Sequence, residues 1–275
     1  MSSLCKFAAL AVALATAFAA CAAQVPLRVC SDPGNLPFSN IRGEGFENQL
    51  ALWVGHDLGR KVEFVWWPQR VRFIEKRLKA GQCDLVMGVP SGWDLMTTTT
   101  PYYRSSYVFV SRTDRHLQLR SLHDAPLHNL KIGLHVIGDE MEAVPPAREL
   151  AANGMMKNIV GYSIYGRPLK ENPEAELISA VARGDIDVAV AWGPTAGYFA
   201  SLSPVPLQLA TICQATRRTF WPLYFDISVG VRRGDQTLLR QVNGVIANRK
   251  SEISTLLRKY HVPVSRLSKE PQVCE

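Results

Sequence analysis

The sequence predicts an α/β protein built as two similar lobes, joined by two crossings of the chain around a shared cleft. Three observations predict it. Leu27-Arg28-Val29-Cys30 is a short apolar run that empties into the turn-rich stretch Ser31 to Asn40, ahead of an amphipathic helix. This reads as a buried strand carrying a loop to the carboxyl edge of a sheet, where open α/β sheets hold ligands against helix N-termini. A cassette of helix, glycine, aspartate and continuous apolar strand then occurs twice, through Gly81, Asp84 and Leu85 to Val89, and through Gly184, Asp187 and Val188 to Trp192. The glycine ends the helix in the left-handed conformation, and the unbroken apolar run suits a strand buried on both faces. The two copies lie 103 residues apart (184 minus 81), as two lobes of one architecture require. After the second cassette only one strand and one helical stripe remain, so the tail crosses back to complete lobe one.

The elements follow in order. Phe46, Leu50, Trp53, Val54 and Leu58 form a helical stripe that Gly59 stops, and Lys61 to Trp67 alternates as a strand. Pro68-Gln69-Arg70 turns into a second helix leading to the first cassette. Pro101 to Arg112 contains the strand-like Tyr107 to Val110, and the polar residues through His128 read as a hinge. Lys131 to Ile137 opens lobe two as a strand, turns at Gly138-Asp139 and enters a helix over Pro146 to Asn153, with proline tolerated in its first turn. Ile159 to Tyr165 is strand-like, and Asn172-Pro173-Glu174 caps the helix of the second cassette. Ile227 to Val231 is the returning strand, followed by one long helix with the stripe Leu238, Val242, Val245, Ile246, Ile253, Leu256 and Leu257. The expected organisation is residues 1–23 as a signal peptide, 24–112 with 226–275 as lobe one, and 113–225 as lobe two.

The signal reading rests on Lys6, the apolar stretch Phe7 to Ala20 and small residues before Gln24. Lipidation at Cys21 is the rival reading, but Phe18 stands where a branched aliphatic residue is expected. No later apolar run is long enough for a membrane span. With 31 basic and 24 acidic side chains the net charge is +7, thinly spread. That suits an acidic protein partner or steering of an anion, and after export nucleic acid is not an expected partner. An oxidising compartment makes disulfides of the remaining cysteines, Cys30, Cys83, Cys213 and Cys274. Three connectivities are possible, and Cys30 with Cys83 and Cys213 with Cys274 is the pairing favoured here. None has the short paired spacing of a zinc site, so no metal and no cofactor are expected.

No Gly-x-Ser-x-Gly elbow or phosphate loop is present, and the histidines at 56, 116, 123, 128, 135 and 261 form no His-x-x-x-His pair. No catalytic residues are therefore expected, and the protein reads as a binding protein rather than an enzyme.

Several long stretches carry a resemblance: Arg28 to Asn40, Gly43 to Asn48, Trp66-Trp67-Pro68-Gln69-Arg70, Cys83 to Pro90, Pro101 to Ser105, Ala191-Trp192-Gly193-Pro194, Gly197-Tyr198-Phe199 and Phe225-Asp226-Ile227. Over essentially all of the chain after the signal, it resembles the family 3 solute-binding proteins of bacterial periplasms. More narrowly it is similar to the MxaJ/XoxJ-like subgroup associated with quinoprotein methanol dehydrogenases. The resemblance implies the type II two-lobe periplasmic-binding-protein fold, each lobe an α/β sheet flanked by helices, and a periplasmic location. It also implies a partner, a methanol or alcohol dehydrogenase that uses pyrroloquinoline quinone, assisted in maturation or activation. The alternative is a transporter's substrate-binding protein for a small ligand. The family's amino-acid receptors hold a zwitterion with an arginine shortly before the Pro-Tyr-Tyr strand and an aspartate at the end of the second cassette strand. Here Ser91 to Thr100 contains no arginine and the second position is Trp192, which removes the charge-assisted clamp and makes a standard amino acid an unexpected ligand.

The candidate cleft residues follow. Asp32, Asn35 and Phe38 come from the first loop, against the plainer reading of turn chemistry. Trp67 and Arg70 offer a stacking face and an anion contact, or simply packing. Tyr102, Tyr103 and Arg104 stand at the first crossover. Gly138 and Asp139 open a helix, where the aspartate favours an amine or a cap over an anion. Trp192 and Tyr198 fill the cleft or anchor a protein interface.

Overall fold

A computed structural model describes residues 25–68, 73–137, 142–164, 172–214 and 222–265. The signal segment 1–23, Arg70, Gly138, Asp139 and Cys274 lie outside the described residues. Nine principal strands carry the fold: β1 (Leu27–Ser31), β2 (Val62–Trp66), β3 (Leu85–Pro90), β4 (Tyr103–Arg112), β5 (Ile132–Ile137), β6 (Ile159–Ser163), β7 (Val188–Trp192), β8 (Leu207–Thr211) and β9 (Tyr224–Val231). The helices are α1 (Phe46–Asp57), α2 (Pro145–Ala152), α3 (Ala175–Arg183), α4 (Gly193–Ser201), α5 (Gln236–Asn248) and α6 (Lys250–Lys259). None among the described residues is long and apolar enough to cross a membrane.

The strands run in the order β6-β5-β7-β4-β9-β3-β1-β2, with β8 also paired to β4. Parallel pairs lie toward the two ends, β1 with β2 and β3, and β5 with β6 and β7. The antiparallel strands β4 and β9 lie between them. Alternation along the cassette strands builds a core on each face. Val188 and Val190 join Ile132, Leu134 and Leu150, whereas Ala189 and Ala191 face Leu177, Val181 and Ala196. In lobe one, Phe46, Leu50 and Val54 of α1 pack on Leu27, Val29 and Leu85, while Val86 and Val89 turn to Cys30, Phe73 and Leu78.

The two cassettes share more than composition. Gly81 and Gly184 have φ of +72° and +84°, the helix-ending conformation. Asp84 accepts a hydrogen bond from the Arg28 N–H at 2.9 Å, and Asp187 accepts one from the Lys131 N–H at 2.8 Å, each across 56 residues. In return, the Asp84 and Asp187 N–H groups donate to the carbonyls of Arg28 and Lys131. Each aspartate thus clamps the start of its cassette strand to the first strand of its own lobe. Cys30 and Cys83 form a disulfide beside the first clamp. Cys213 is also disulfide-bonded.

The chain crosses between lobes inside strands. The first part of β4, Tyr103 to Ser106, pairs with Tyr224 to Ile227 of β9, and the remainder, Tyr107 to Arg112, pairs with β7 and β8. Tyr103 accordingly belongs to the core of lobe one and Phe109 to that of lobe two. The polar stretch read as a hinge lies instead on lobe two, where Leu119, Leu122 and Leu127 are buried and two 3-10 turns, Thr113–Arg115 and Ala125–Asn129, carry the chain. We therefore propose that the lobe boundary falls near Tyr107 rather than after Arg112.

One further expectation is corrected. The single C-terminal helix is two, because Arg249 leaves helical geometry at φ −101° and ψ 19° and places its guanidinium on Asp57 at 2.6 Å. The segment Asn172 to Glu174 caps α3 through its backbone and not a side chain: Glu174 is the N-cap residue, the Ala175 N–H donates to the Asn172 carbonyl at 3.0 Å, and Asn172 Oδ1 accepts instead from the Leu36 N–H of lobe one at 3.4 Å. Beyond α6, residues 261–265 run along the pivot. Ser105 Oγ donates to the Pro263 carbonyl at 2.6 Å, and the Ser265 N–H donates to that of Arg104 at 2.9 Å. A Cβ on Gly197 of α4 would collide with the His261 carbonyl. Gly197→Val is expected to lift this segment off α4 and cost about 1–3 kcal/mol, the range for overpacking a filled site, read as a lower urea midpoint at unchanged slope.

Candidate functional site

The first wall of the cleft is the loop after β1. Asp32 accepts from the Gly34 N–H at 2.9 Å, and Ser39 Oγ donates to the Asp32 carbonyl at 2.8 Å, closing the loop on itself. The first N–H groups of α1, on Phe46 and Glu47, donate to the carbonyls of Pro37 and Phe38, both at 2.9 Å. These are donors that a helix start leaves without intrahelical partners, so the loop serves as the helix cap. The approach is so close that a Cβ on Gly45 would collide with the Phe38 carbonyl, which explains the glycine.

Between the lobes lies a cavity of about 220 Å³. Asn35, Phe38 and Glu47 line it from the loop and α1, and Gly88 and Pro90 from β3. Tyr103, Tyr107, Phe225 and Ile227 come from the crossing strands, and Trp192 from the end of β7. The Trp192 ring meets Tyr107 and Phe225 edge-on, with centroids 5.5 and 5.8 Å away, an arrangement the aromatic quadrupoles favour. Among the described lining residues there is no arginine, lysine or aspartate. The cavity thus offers aromatic faces, one carboxamide and one carboxyl, and no fixed pair of opposite charges for a zwitterion.

Of the residues singled out from sequence, Asn35, Phe38, Tyr103 and Trp192 line this cavity. Asp32 lies behind the wall in its turn. Tyr102 packs on Tyr103 with ring centroids 5.1 Å apart. Trp67 is outside, 41% exposed, with the Arg77 guanidinium 3.6 Å above its ring. Tyr198 of α4 does not line the cavity and stacks on Tyr260, with ring centroids 5.9 Å apart. Arg104 is taken up by Asp226, Nε to Oδ1 at 2.7 Å and the guanidinium NH2 to Oδ2 at 2.8 Å, directly across the two crossing strands.

Glu47 was missed. An acidic residue in the first turn of an amphipathic helix reads as a solvated charge favoured by the helix dipole. Here it is only 6% exposed, and burial pushes its carboxyl up to about 8, so it is chiefly protonated at neutral pH. The one available signal was Gly88, a glycine inside an apolar strand, which marks a close approach. Gly88 has φ +68°, and a Cβ there would collide with Glu47 Oε1.

The lobes also meet beside the cavity. Besides the Asn172 contact, Glu174 of lobe two is pushed up to about 8, chiefly by burial and secondarily by the Asp32 carboxylate facing it from lobe one. The lobes are therefore in polar contact beside the cavity, which aromatic rings line.

This fold and cleft define a binding protein, and comparison places it in a family. The model for bacterial extracellular solute-binding proteins, family 3, matches residues 27–263, and the chain belongs to that family. It is 29% identical over 248 residues to the protein MoxJ of Methylorubrum extorquens, covering 88% of this chain and 82% of that one. It is 26% identical over 260 residues to MoxJ of Paracoccus denitrificans, covering 92% and 94%. A crystal structure of the periplasmic binding protein XoxJ from Methylobacterium extorquens AM1 superposes with a TM-score of 0.71 at 34% identity, covering 87% of this chain and 99% of that chain. The two lobes and paired crossings are thus the periplasmic-binding-protein fold, in its MoxJ/XoxJ-like form.

Proposed function

We propose that this is an exported, non-enzymatic accessory protein of a methanol or alcohol dehydrogenase that uses pyrroloquinoline quinone, closing its lobes on an uncharged segment of that enzyme during maturation or activation. The observation that carries the reading is the cleft: it keeps the enclosure of a family 3 receptor but offers aromatic rings where a zwitterion clamp would stand. Similarity to MoxJ and XoxJ supports the same direction. Closure follows if the guest contacts both lobes only in the closed state, since a ligand shifts an equilibrium only by its differential affinity.

The test is capture from the periplasm of methanol-grown cells with wild type and Trp192→Ala. Recovery of a quinoprotein, identified by its cofactor spectrum and held about thirtyfold more weakly by the variant, is expected, a buried aromatic anchor contributing about 2 kcal/mol. Recovery of a membrane permease and its ATPase instead would establish the transporter alternative.

A further inference from the structure

Among the described residues, the cleft holds a buried acid that the fold does not use, next to the Tyr102 hydroxyl, which is likewise without a partner. Glu47 is nine-tenths buried, lines the cavity, and its carboxyl forms no hydrogen bond or ion pair with any described residue. The groups packed around it are uncharged: Gly88 of β3 against Oε1, and the phenols of Tyr102, just before β4, and Tyr103, at its start, which its charge would hold even further from ionising. An unpartnered acid costs folding free energy wherever it is buried, and such costs are characteristic of functional sites. The space beside it is made by a left-handed glycine in the middle of a strand, a second local departure from what packing alone favours.

We propose that Glu47 is the polar recognition residue of the cleft and selects an uncharged amide carried on an aromatic or bulky apolar group. A carboxylic acid and an amide form a reciprocal pair, the acid O–H donating to the amide carbonyl and the amide N–H donating to the acid carbonyl. The rings of Phe38, Tyr103 and Trp192 receive the apolar part. The volume of about 220 Å³ lies below the range of about 300–1,000 Å³ usual for drug-sized ligands and suits one such group. Peptide segments with a large apolar side chain have this chemistry, so the inference rests on the reading that the cleft receives part of a partner protein.

The probe is N-acetyl-L-phenylalaninamide, titrated calorimetrically into the intact mature protein, with L-phenylalanine and phenethylamine as zwitterionic and cationic comparisons. The amide is expected to bind most tightly of the three. Because the donor is the protonated acid, affinity is full below pH 7 and falls about tenfold by pH 9 as Glu47 ionises. Glu47→Gln keeps binding and loses the pH dependence, whereas Glu174→Gln, which alters the other carboxyl elevated by burial, retains it. Tighter binding of phenethylamine, no binding of the amide, or an unchanged pH dependence in Glu47→Gln overturns the proposal, and the wild-type titration decides even if a variant folds poorly. Two further outcomes separate this inference from the functional reading. Amide binding that displaces the dehydrogenase supports both. Dehydrogenase capture without amide binding overturns only the role of Glu47, and amide binding without dehydrogenase capture overturns only the choice of partner.

Discussion

Replacing Cys30 and Cys83 together by serine is expected to destabilise lobe one by about 4 kcal/mol, the chain-entropy value for a bridge spanning 53 residues. For a protein of this size that lowers Tm by roughly 10 °C. The bond joins β1 to the second residue before β3, beside the Asp84 clamp, and both sulfurs are buried against Phe73, Leu78 and Val86. The loss is therefore local. Hydrogen exchange should accelerate in β1, β2 and β3 while β5 and β7 keep their protection, and uniform acceleration through both lobes would refute this assignment. Reduction of the wild type with a thiol should reproduce the shift.

Asp226→Ala has the second largest expected effect, about 2–3 kcal/mol, because it removes two charge-assisted hydrogen bonds to an arginine side chain that is 9% exposed. Asp226→Asn should cost less, since one oxygen remains to accept. The pair stands in register across the two crossing strands, so its loss also loosens the pivot. Small-angle scattering should show a larger radius of gyration for Asp226→Ala than for wild type at equal concentration. An unchanged radius with lowered stability would confine the pair to a folding role.

The repeated cassettes were legible because their signals are local: a glycine that must go left-handed, an aspartate that fastens two strands, an apolar run too continuous for a solvated face. The stripe of α1 was legible for the same reason. The crossing was not, because a ten-residue strand has one pattern whether it pairs within one lobe or passes between two. Polarity also misled at 113–128, where buried Leu119, Leu122 and Leu127 are separated by exposed residues at no regular period. In the cleft, aromatic residues near strand ends were found, yet Tyr198 and Trp67 had equally good aromatic or cationic neighbours outside it. Glu47 escaped because its environment is set by Gly88, 41 positions later in the chain (88 minus 47), and no spacing rule links the two.

Residues 261–265 give the joint a third ply. They touch Arg104 and Ser105 on one side and the glycine face of α4 on the other. Both hydrogen bonds stay within lobe one, so any parting of the lobes leaves this ply on lobe one and separates it from α4 alone. What α4 presents to it is the smooth flank that Gly193 and Gly197 provide, with no side chain and no hydrogen bond of that ply to break. The seam along which the halves part is therefore bare backbone against backbone, and the outermost ply travels with the first half.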